Sequence, residues 1–358
     1  MAENKDKKVL NVPNIRFKEF KEEWEKCRFD DVCNTYTGNK NTQDKIDNGI
    51  YPFYVRSQII ERINSWTFDG EAILTAGDGV GVGKVFHYTK GKIGVHQRVY
   101  ILSDFKCNAR YLFYYFSSRF YNRVKRMSAK NSVDSVRKEM ITDMPLSLPC
   151  SQEQAKIGIL LSLLDERIAT QNKIIDKLES LIKGITQRIV HGNKPNTQIT
   201  NCLKCSSSSL QESEVKETGI YPVYGANGIV GYLDNYSTKN EAIYIIKDGS
   251  GVGSVSYVKG ECSATGTLNI LEANKDFSLL YLYYILKIFN FNLYRTGMAI
   301  PHIYFKDYSK AKIFCPPYEK QVKYAKLLSA IEEKLITEQK ILDSINSQKQ
   351  YLLRQMFI

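Results

Sequence analysis

The chain repeats itself at a spacing of about 170 residues, and a duplicated chain of this length folds as two copies of one unit rather than around a single core. Gly49-Ile50-Tyr51-Pro52-Phe53-Tyr54 returns as Gly219-Ile220-Tyr221-Pro222-Val223-Tyr224. Glu71-Ala72-Ile73 with Asp78-Gly79-Val80-Gly81-Val82-Gly83 returns as Glu241-Ala242-Ile243 with Asp248-Gly249-Ser250-Gly251-Val252-Gly253. Tyr111-Leu112-Phe113-Tyr114-Tyr115 then echoes as Tyr281-Leu282-Tyr283-Tyr284-Ile285. Each copy closes in a polar, heptad-patterned stretch, Ser151 to Val190 and Tyr318 to Phe357. The expected order is globule, helix, globule, helix, with a pseudo-twofold relation that holds two similar binding units at a fixed separation.

The 358 residues suffice for two ordinary cores, and 43% hydrophobic with 25% charged residues is the balance of a folded protein rather than a disordered one. The sequence has no apolar run of 18 residues, and its first eight residues lack the apolar core of a signal peptide, so a cytoplasmic protein without membrane contact is expected. A net charge of +12 and a pI near 9.1 favour a polyanionic partner, because Lys and Arg gain affinity for nucleic acid by releasing its condensed counterions. The eight scattered cysteines read as reduced thiols. Cys202 and Cys205 have zinc-like spacing, yet no second pair completes four ligands, and no metal is expected. Cys33, at the place of Cys205 in the first copy, is expected to pack as a small apolar group.

In both copies short strand-like runs lead into a Gly-rich turn and out of it again: Ala72-Ile73-Leu74 before, Lys84 to Tyr88 and Gln97 to Leu102 after. The second copy matches them with Ala242 to Ile246, Ser254 to Val258 and Thr267 to Leu271. Tyr111 to Phe116 and Leu279 to Leu286 read as short amphipathic helices covering a sheet, which makes the class α+β. The glycines do not form a phosphate-binding P-loop. Asp78 stands five before Gly83, Val85 follows Lys84, and Ser254 replaces Lys84 in the repeat. A dinucleotide fingerprint fails too, because Lys84 falls where its last glycine belongs. A tight hairpin turn is predicted, with phosphate contact through its backbone left open. Phe314-Cys315-Pro316-Pro317-Tyr318 has the outline of an amino-methyltransferase pocket motif, but cysteine cannot supply the oxygen that accepts from a flipped base, so the prolines are assigned to the start of a helix. The four histidines are too dispersed for a catalytic or metal cluster, and no catalytic residue is assigned.

Polar and basic loop residues are the candidate readers of DNA. In the first globule these are Lys40, Asn41 and Thr42; Gln97 and Arg98; Lys130, Asn131 and Ser132; Arg137 and Lys138. In the second they are Asn227, Thr265, Thr267, Arg295, His302 and Lys306. Arg, Asn and Gln can bond guanine or adenine edges in pairs, while Lys, Ser and Thr commonly hold phosphates. The globules agree most in scaffold segments and least in these loops, the pattern of two readers built on one frame.

Leu161, Leu164, Ile168, Gln171, Ile175, Leu178, Ile182, Ile185 and Ile189 follow alternating three- and four-residue steps, a coiled-coil seam. Leu328, Ile331, Leu335, Glu338, Leu342, Ile345, Lys349, Leu352 and Met356 repeat it. Neither helix buries its seam alone, and antiparallel pairing of the two is the simplest solution, with Gln171 and Glu338 placed to meet near the middle and fix register. Forty helical residues span about 60 Å, a length suited to a spacer. Gly184 should weaken the end of the first helix by up to about 1 kcal/mol. The alternative is a generic coiled-coil adaptor.

Together these segments resemble the specificity (S) subunits of type I restriction-modification systems. The resemblance is carried by Val12-Pro13-Asn14-Ile15-Arg16-Phe17 with Glu22-Glu23-Trp24, by Thr37-Gly38-Asn39-Lys40, by the Gly-rich turns, and by Ser132-Val133-Asp134-Ser135-Val136-Arg137-Lys138-Glu139-Met140-Ile141. Pro149-Cys150-Ser151-Gln152-Glu153-Gln154, Pro316-Pro317-Tyr318-Glu319-Lys320-Gln321 and Leu352-Leu353-Arg354-Gln355-Met356-Phe357 complete it, so it covers essentially the whole chain. It implies two target recognition domains, 1–150 and 193–317, each reading one half of a bipartite asymmetric site in double-stranded DNA. Helices over 151–192 and 318–358 would act as ruler and docking surface for two methyltransferase (M) subunits, which restriction (R) subunits then join. S-adenosylmethionine, ATP and Mg would belong to those partners, with no cofactor in this non-catalytic chain. A stand-alone DNA-binding protein without a methyltransferase partner is the other alternative.

Overall fold

The computed structural model describes residues 11–128 and 135–358. It divides into two compact units, neither of which coincides with one copy of the repeat: the chain up to Gln171 together with Ile341–Ile358, and Asn172–Lys340.

The first unit is built on a six-stranded sheet in the order Asn34–Thr37, Val99–Ser103, Phe68–Ala76, Phe86–Val95, Tyr51–Tyr54, Glu61–Ile63. Neighbours are antiparallel except Tyr51–Tyr54, which lies parallel to Phe86–Val95. Strand geometry sends successive side chains to opposite faces. Ile73 and Leu102 therefore join the core under the helix Ala109–Met127, while Ala72, Leu74 and Ile101 fill a second core on the other face. In the second unit Ile243, Ile245 and Leu271 take the helix side and Ala242, Tyr244, Ile246 and Ile270 the other.

The two copies part company in two places. The ten-residue strand Phe86–Val95 has its counterpart in two short strands, Val255–Val258 and Ser263–Ala264, separated at Gly260, whose φ of +76° suits glycine. As a result the second unit holds a four-stranded sheet (Leu203–Ser207, Leu268–Ala273, Ala242–Ile246, Val255–Val258) and a separate three-stranded one (Gly228–Leu233, Tyr221–Gly225, Ser263–Ala264). The helix over the sheet also differs. Leu279–Lys287 is as short as its sequence suggests, but its counterpart runs Ala109–Met127, well beyond the expected Phe116. Phe120 and Val124 keep arriving at four-residue steps after Phe116 and stay buried, whereas Asn290 turns the second copy into the short 3-10 turn Phe291–Tyr294 by accepting from the Asn292 N–H.

The junction of each globule with its long helix is duplicated bond for bond. Gln154 Oε1 accepts from Asn108 N and its Nε2 donates to Pro149 O, at 2.9 and 2.8 Å; Gln321 makes the same pair with Ser278 N and Pro316 O at the same distances. The Tyr111 hydroxyl donates to Ser147 O, and that of Tyr281 to Phe314 O. Both glutamines are buried, so a polar group inside each core is satisfied and the start of each long helix is locked to its globule.

Those helices are Ser151–His191 and Tyr318–Gln355. In the first unit Leu161 and Leu164 pack with Leu352, Leu353 and Met356, and the Lys349 ammonium pairs with Asp165. In the second, Ile182, Ile185 and Ile189 pack with Ala325, Leu328, Ile331 and Leu335. Within each unit the segments therefore run antiparallel. Leu161, Leu164, Ile168, Gln171, Ile175, Leu178, Leu328, Ile331, Leu335, Glu338, Leu342 and Ile345 are assigned to the pairing seams, and Gln171 and Glu338 are among the buried ones, with Glu338 taking the Lys334 ammonium from its own helix. Ile168 and Leu178, by contrast with Leu161 and Ile175, keep part of their surface accessible. No helix among the described residues is long and apolar enough to cross a membrane.

Candidate nucleic-acid interface

At one end of each sheet, five segments are tied together by the same backbone hydrogen bonds. In the first unit Gly77 N donates to Arg98 O, Val136 N to Gly77 O, Gln97 N to Lys40 O and His96 N to Tyr54 O, at 2.7 to 3.0 Å. In the second, Lys247 N donates to Thr267 O, Ile303 N to Lys247 O, Gly266 N to Leu210 O and Thr265 N to Tyr224 O, at 2.8 to 3.0 Å. The Gly-rich connection is shared too. Val82 N and Lys84 N donate to Gly79 O and Gly81 O, as Val252 N and Ser254 N do to Gly249 O and Gly251 O. This connection is longer than the tight turn predicted, because it occupies residues 77–85 between antiparallel strands. Gly83 (φ +65°) lies against Tyr121, where an added Cβ would sit 3.0 Å from the ring, and Gly253 (φ +90°) lies likewise against Phe291.

On this frame the side chains diverge. Asp78, at the head of the Gly-rich connection, accepts from Arg56 Nη1 at 2.8 Å and stands 3.6 Å from Arg98 Nε. Its counterpart Asp248 bonds His302 Nδ1 at 2.6 Å. One carboxylate at a repeated position thus aims two guanidiniums in one unit and an imidazole in the other. His96 is buried and accepts the Arg98 N–H on Nδ1 at 3.0 Å, which leaves the proton on Nε2 to donate to Thr42 Oγ1 at 3.3 Å. Burial, reinforced by the charge of Arg56, holds its pKa below the ordinary histidine value, so the ring is neutral at pH 7 and keeps that tautomer.

Lys40, Thr42, Gln97 and Arg98 therefore converge, and Arg137 joins them as the residue after Val136. Asn41 sits at the start of the 3-10 turn Thr42–Asp44, its N–H bonded to Asp44, and Lys138 is exposed at the first position of the helix Lys138–Thr142. Lys130, Asn131 and Ser132 lie outside the described residues. In the second unit Asn227 is exposed in a two-residue hairpin loop, and His302 exchanges backbone hydrogen bonds with Thr296, next to Arg295. The Lys306 ammonium covers the Tyr304 ring at 5.4 Å. Thr265 is buried, with its hydroxyl 2.8 Å from Thr267 Oγ1, and Thr267 is the more accessible of the two. The sequence pattern does not single out Arg56 or Asp78. The signal for Asp78 is its exact return as Asp248, and for Arg56 its place just beyond the matching segment Gly49 to Tyr54, where the two copies begin to differ.

Cys202, singled out for its spacing to Cys205, lies 3.5 Å from the Cys315 thiol in the core of the second unit, while Cys205 occupies the strand Leu203–Ser207. Cys33 is buried and donates to Phe29 O.

The family model described as the type I restriction modification DNA specificity domain matches this chain twice, over residues 21–180 and 197–347. The chain belongs to that family. Among curated relatives, the EcoDI specificity subunit of Escherichia coli is 24% identical over 168 residues, which cover 47% of this chain and 37% of that protein. The MjaVIII specificity subunit of Methanocaldococcus jannaschii is 30% identical over 117 residues, or 32% and 28% of the two chains. The chain thus spans only about a third of the length of these relatives. A crystal structure of a type I S subunit from M. genitalium is similar over 97% of this chain and 99% of its own, with a TM-score of 0.76 at 17% identity. A chain from a study of type I complex assembly has a TM-score of 0.53 at 14% identity, covering 93% of this chain and 97% of that one. At these identities the likeness is one of fold. It agrees with the α+β class, the domain present twice and the two long helices.

Proposed function

We propose that this specificity-family chain is the DNA-recognition subunit of a type I restriction-modification complex, each unit reading one half of a bipartite asymmetric site. The observation that carries the reading is the duplicated hydrogen-bonded frame with unlike side chains on it: His96, Gln97 and Arg98 in one copy, Thr265, Gly266 and Thr267 in the other. A frame held constant while its tips vary suits two readers with different targets. Arg98 and Arg56, spread from Asp78, offer guanidiniums to base edges in the first unit. His302 and Thr267 take that place in the second, with Lys40, Arg137 and Lys306 on phosphates.

The helices Ser151–His191 and Tyr318–Gln355 set the spacing and dock two methyltransferase subunits, to which restriction subunits add. S-adenosylmethionine, ATP and Mg are used by those partners, and the complex works in the cytoplasm. The family membership and the net charge of +12 support this reading.

The test is to co-express the chain with its methyltransferase subunit and sequence the methylated adenines, then repeat with residues 193–317 exchanged for those of another specificity-family chain. One half of the methylated motif changes and the other persists. Methylation without a motif, or a change in both halves, overturns the proposal.

A further inference from the structure

In the first unit the helix Ala109–Met127 has 19 residues where its counterpart Leu279–Lys287 has nine, and the added turns carry cations on one face. Arg119, Asn122, Arg123 and Arg126 follow three- and four-residue steps. Lys26, on the strand Glu25–Arg28, faces them across a cavity of about 550 Å³. Among the described residues none of these four cations has a carboxylate within ion-pairing distance. The Arg119 Nε is buried without a hydrogen-bond partner, its guanidinium lying over Tyr115 at 5.4 Å. Arg123 is half-buried, and burial together with the charge of Arg126 lowers its pKa despite the opposing pull of Asp143. Cations crowded in this way repel one another and call for an anion.

The stripe is continuous with the reading cluster. Arg119 and Asn122 also line a second cavity of about 750 Å³ together with Lys84, Gln58, Ser117 and Ser118. Lys84 leaves the Gly-rich connection with its ammonium 5.5 Å from the Tyr121 ring centre, and Gln58, two residues after Arg56, donates to Lys84 O. A path of cations therefore runs from Arg98 and Arg56 through Lys84 to Arg119, Arg123 and Arg126. The second unit lacks it, because its helix ends at Lys287.

We infer that this stripe binds the phosphodiester backbone of duplex DNA flanking the half-site read by the first unit, a sequence-independent hold that the second unit does not have. The inference rests on the proposed DNA recognition. Residues 119 to 126 span about 10 Å of helix, and one DNA strand carries a phosphate every 3.4 Å or so of axis. The stripe thus faces on the order of three phosphates. Lys125 and Arg126 also complement the helix C-terminus, which accounts for cations in the last turn but not for Arg119, Arg123 or Lys26.

The test uses the full chain, alone and with its methyltransferase subunit, and a Lys26→Gln/Arg126→Gln variant. Both residues are exposed and outside the core. Binding is measured against salt on a duplex that extends beyond the first half-site and on one trimmed at its edge. For the extended duplex the slope of log affinity against log salt falls by about 1 for each phosphate no longer neutralised, hence by about 2 in the variant. On the trimmed duplex wild type and variant coincide, and the methylated motif is unchanged. Equal slopes on the extended duplex overturn the inference, and so does failure of the variant to co-purify with the methyltransferase subunit, which would assign the stripe to an acidic protein surface. If the wild type itself shows no motif, the functional proposal fails instead.

Discussion

At the scale of single residues, the reading cluster is arranged by Asp78 and Asp248, which the sequence marks only as parts of a Gly-rich repeat. Their use as anchors depends on what the fold brings opposite them, Arg56 and Arg98 in one case and His302 in the other, and no sequence spacing encodes those encounters. Thr265 shows the converse: a polar loop residue turns inward because its strand neighbour Ala264 and its own N–H are fixed by Tyr224. Arg98→Gln should relax discrimination at one base pair of the first half-site by about 1–3 kcal/mol while leaving the second half unchanged, as read by binding to a panel of single-base variants. His96 gives a pH prediction. Its folded-state pKa lies below the ordinary 6.5 because burial penalises the charged ring, so the unfolded chain binds the extra proton first. The associated stability is fully present above about pH 6.5 and is lost as pH falls from there toward the folded pKa. Melting curves from about pH 8 to 5 should drop less steeply on the acid side for His96→Gln than for the wild type.

Among elements, those with a strict period are legible in the sequence and those decided by competition are not. The long helices follow from their heptads, and the buried cores of two strands from the short apolar runs Ala72-Ile73-Leu74 and Ala242 to Ile246, although the first strand extends back to Phe68 through polar residues. The helix Ala109–Met127 reads too short because Ser117, Ser118 and Arg119 interrupt the apolar pattern for nearly a turn before Phe120 resumes it. The split of the second sheet at Gly260 is not legible at all, since glycine also stands at Gly91 in the unbroken strand, with φ +101°. Gly184 is the element-scale test. It sits exposed within Ser151–His191, and a Cβ added there would meet nothing within 4 Å. Alanine relieves the backbone entropy of glycine without a clash, so Gly184→Ala should stabilise the chain by about 1 kcal/mol, measured as a higher midpoint in urea at unchanged slope.

For the molecule as a whole, the repeat announces two units, but their boundaries do not follow the repeat. Each long helix is divided between them, and the first unit is completed by Ile341–Ile358 from the far end of the chain. The reason is packing: Phe357 is buried against Tyr111 and Tyr115 at ring-centre distances of 5.4 and 5.6 Å, and Met356 lies in the same core. Ile15 N donates to Gln355 O and Asn14 to the Gln355 side chain, so the segment around Asn14 and Ile15 also depends on the far end. A chain cut after residue 171 would leave this core open. Phe357→Ala removes a buried aromatic ring and should cost about 3–5 kcal/mol, an effect confined to the unit that holds it. Hydrogen exchange resolves the outcome by region: amides of Ala109–Met127 should exchange faster in the variant, while those of Leu279–Lys287, whose core contains Leu328 and Ala325 instead, keep the wild-type rate. Equal acceleration in both helices would mean that the two cores unfold as one, against the division of the fold into two separately packed units.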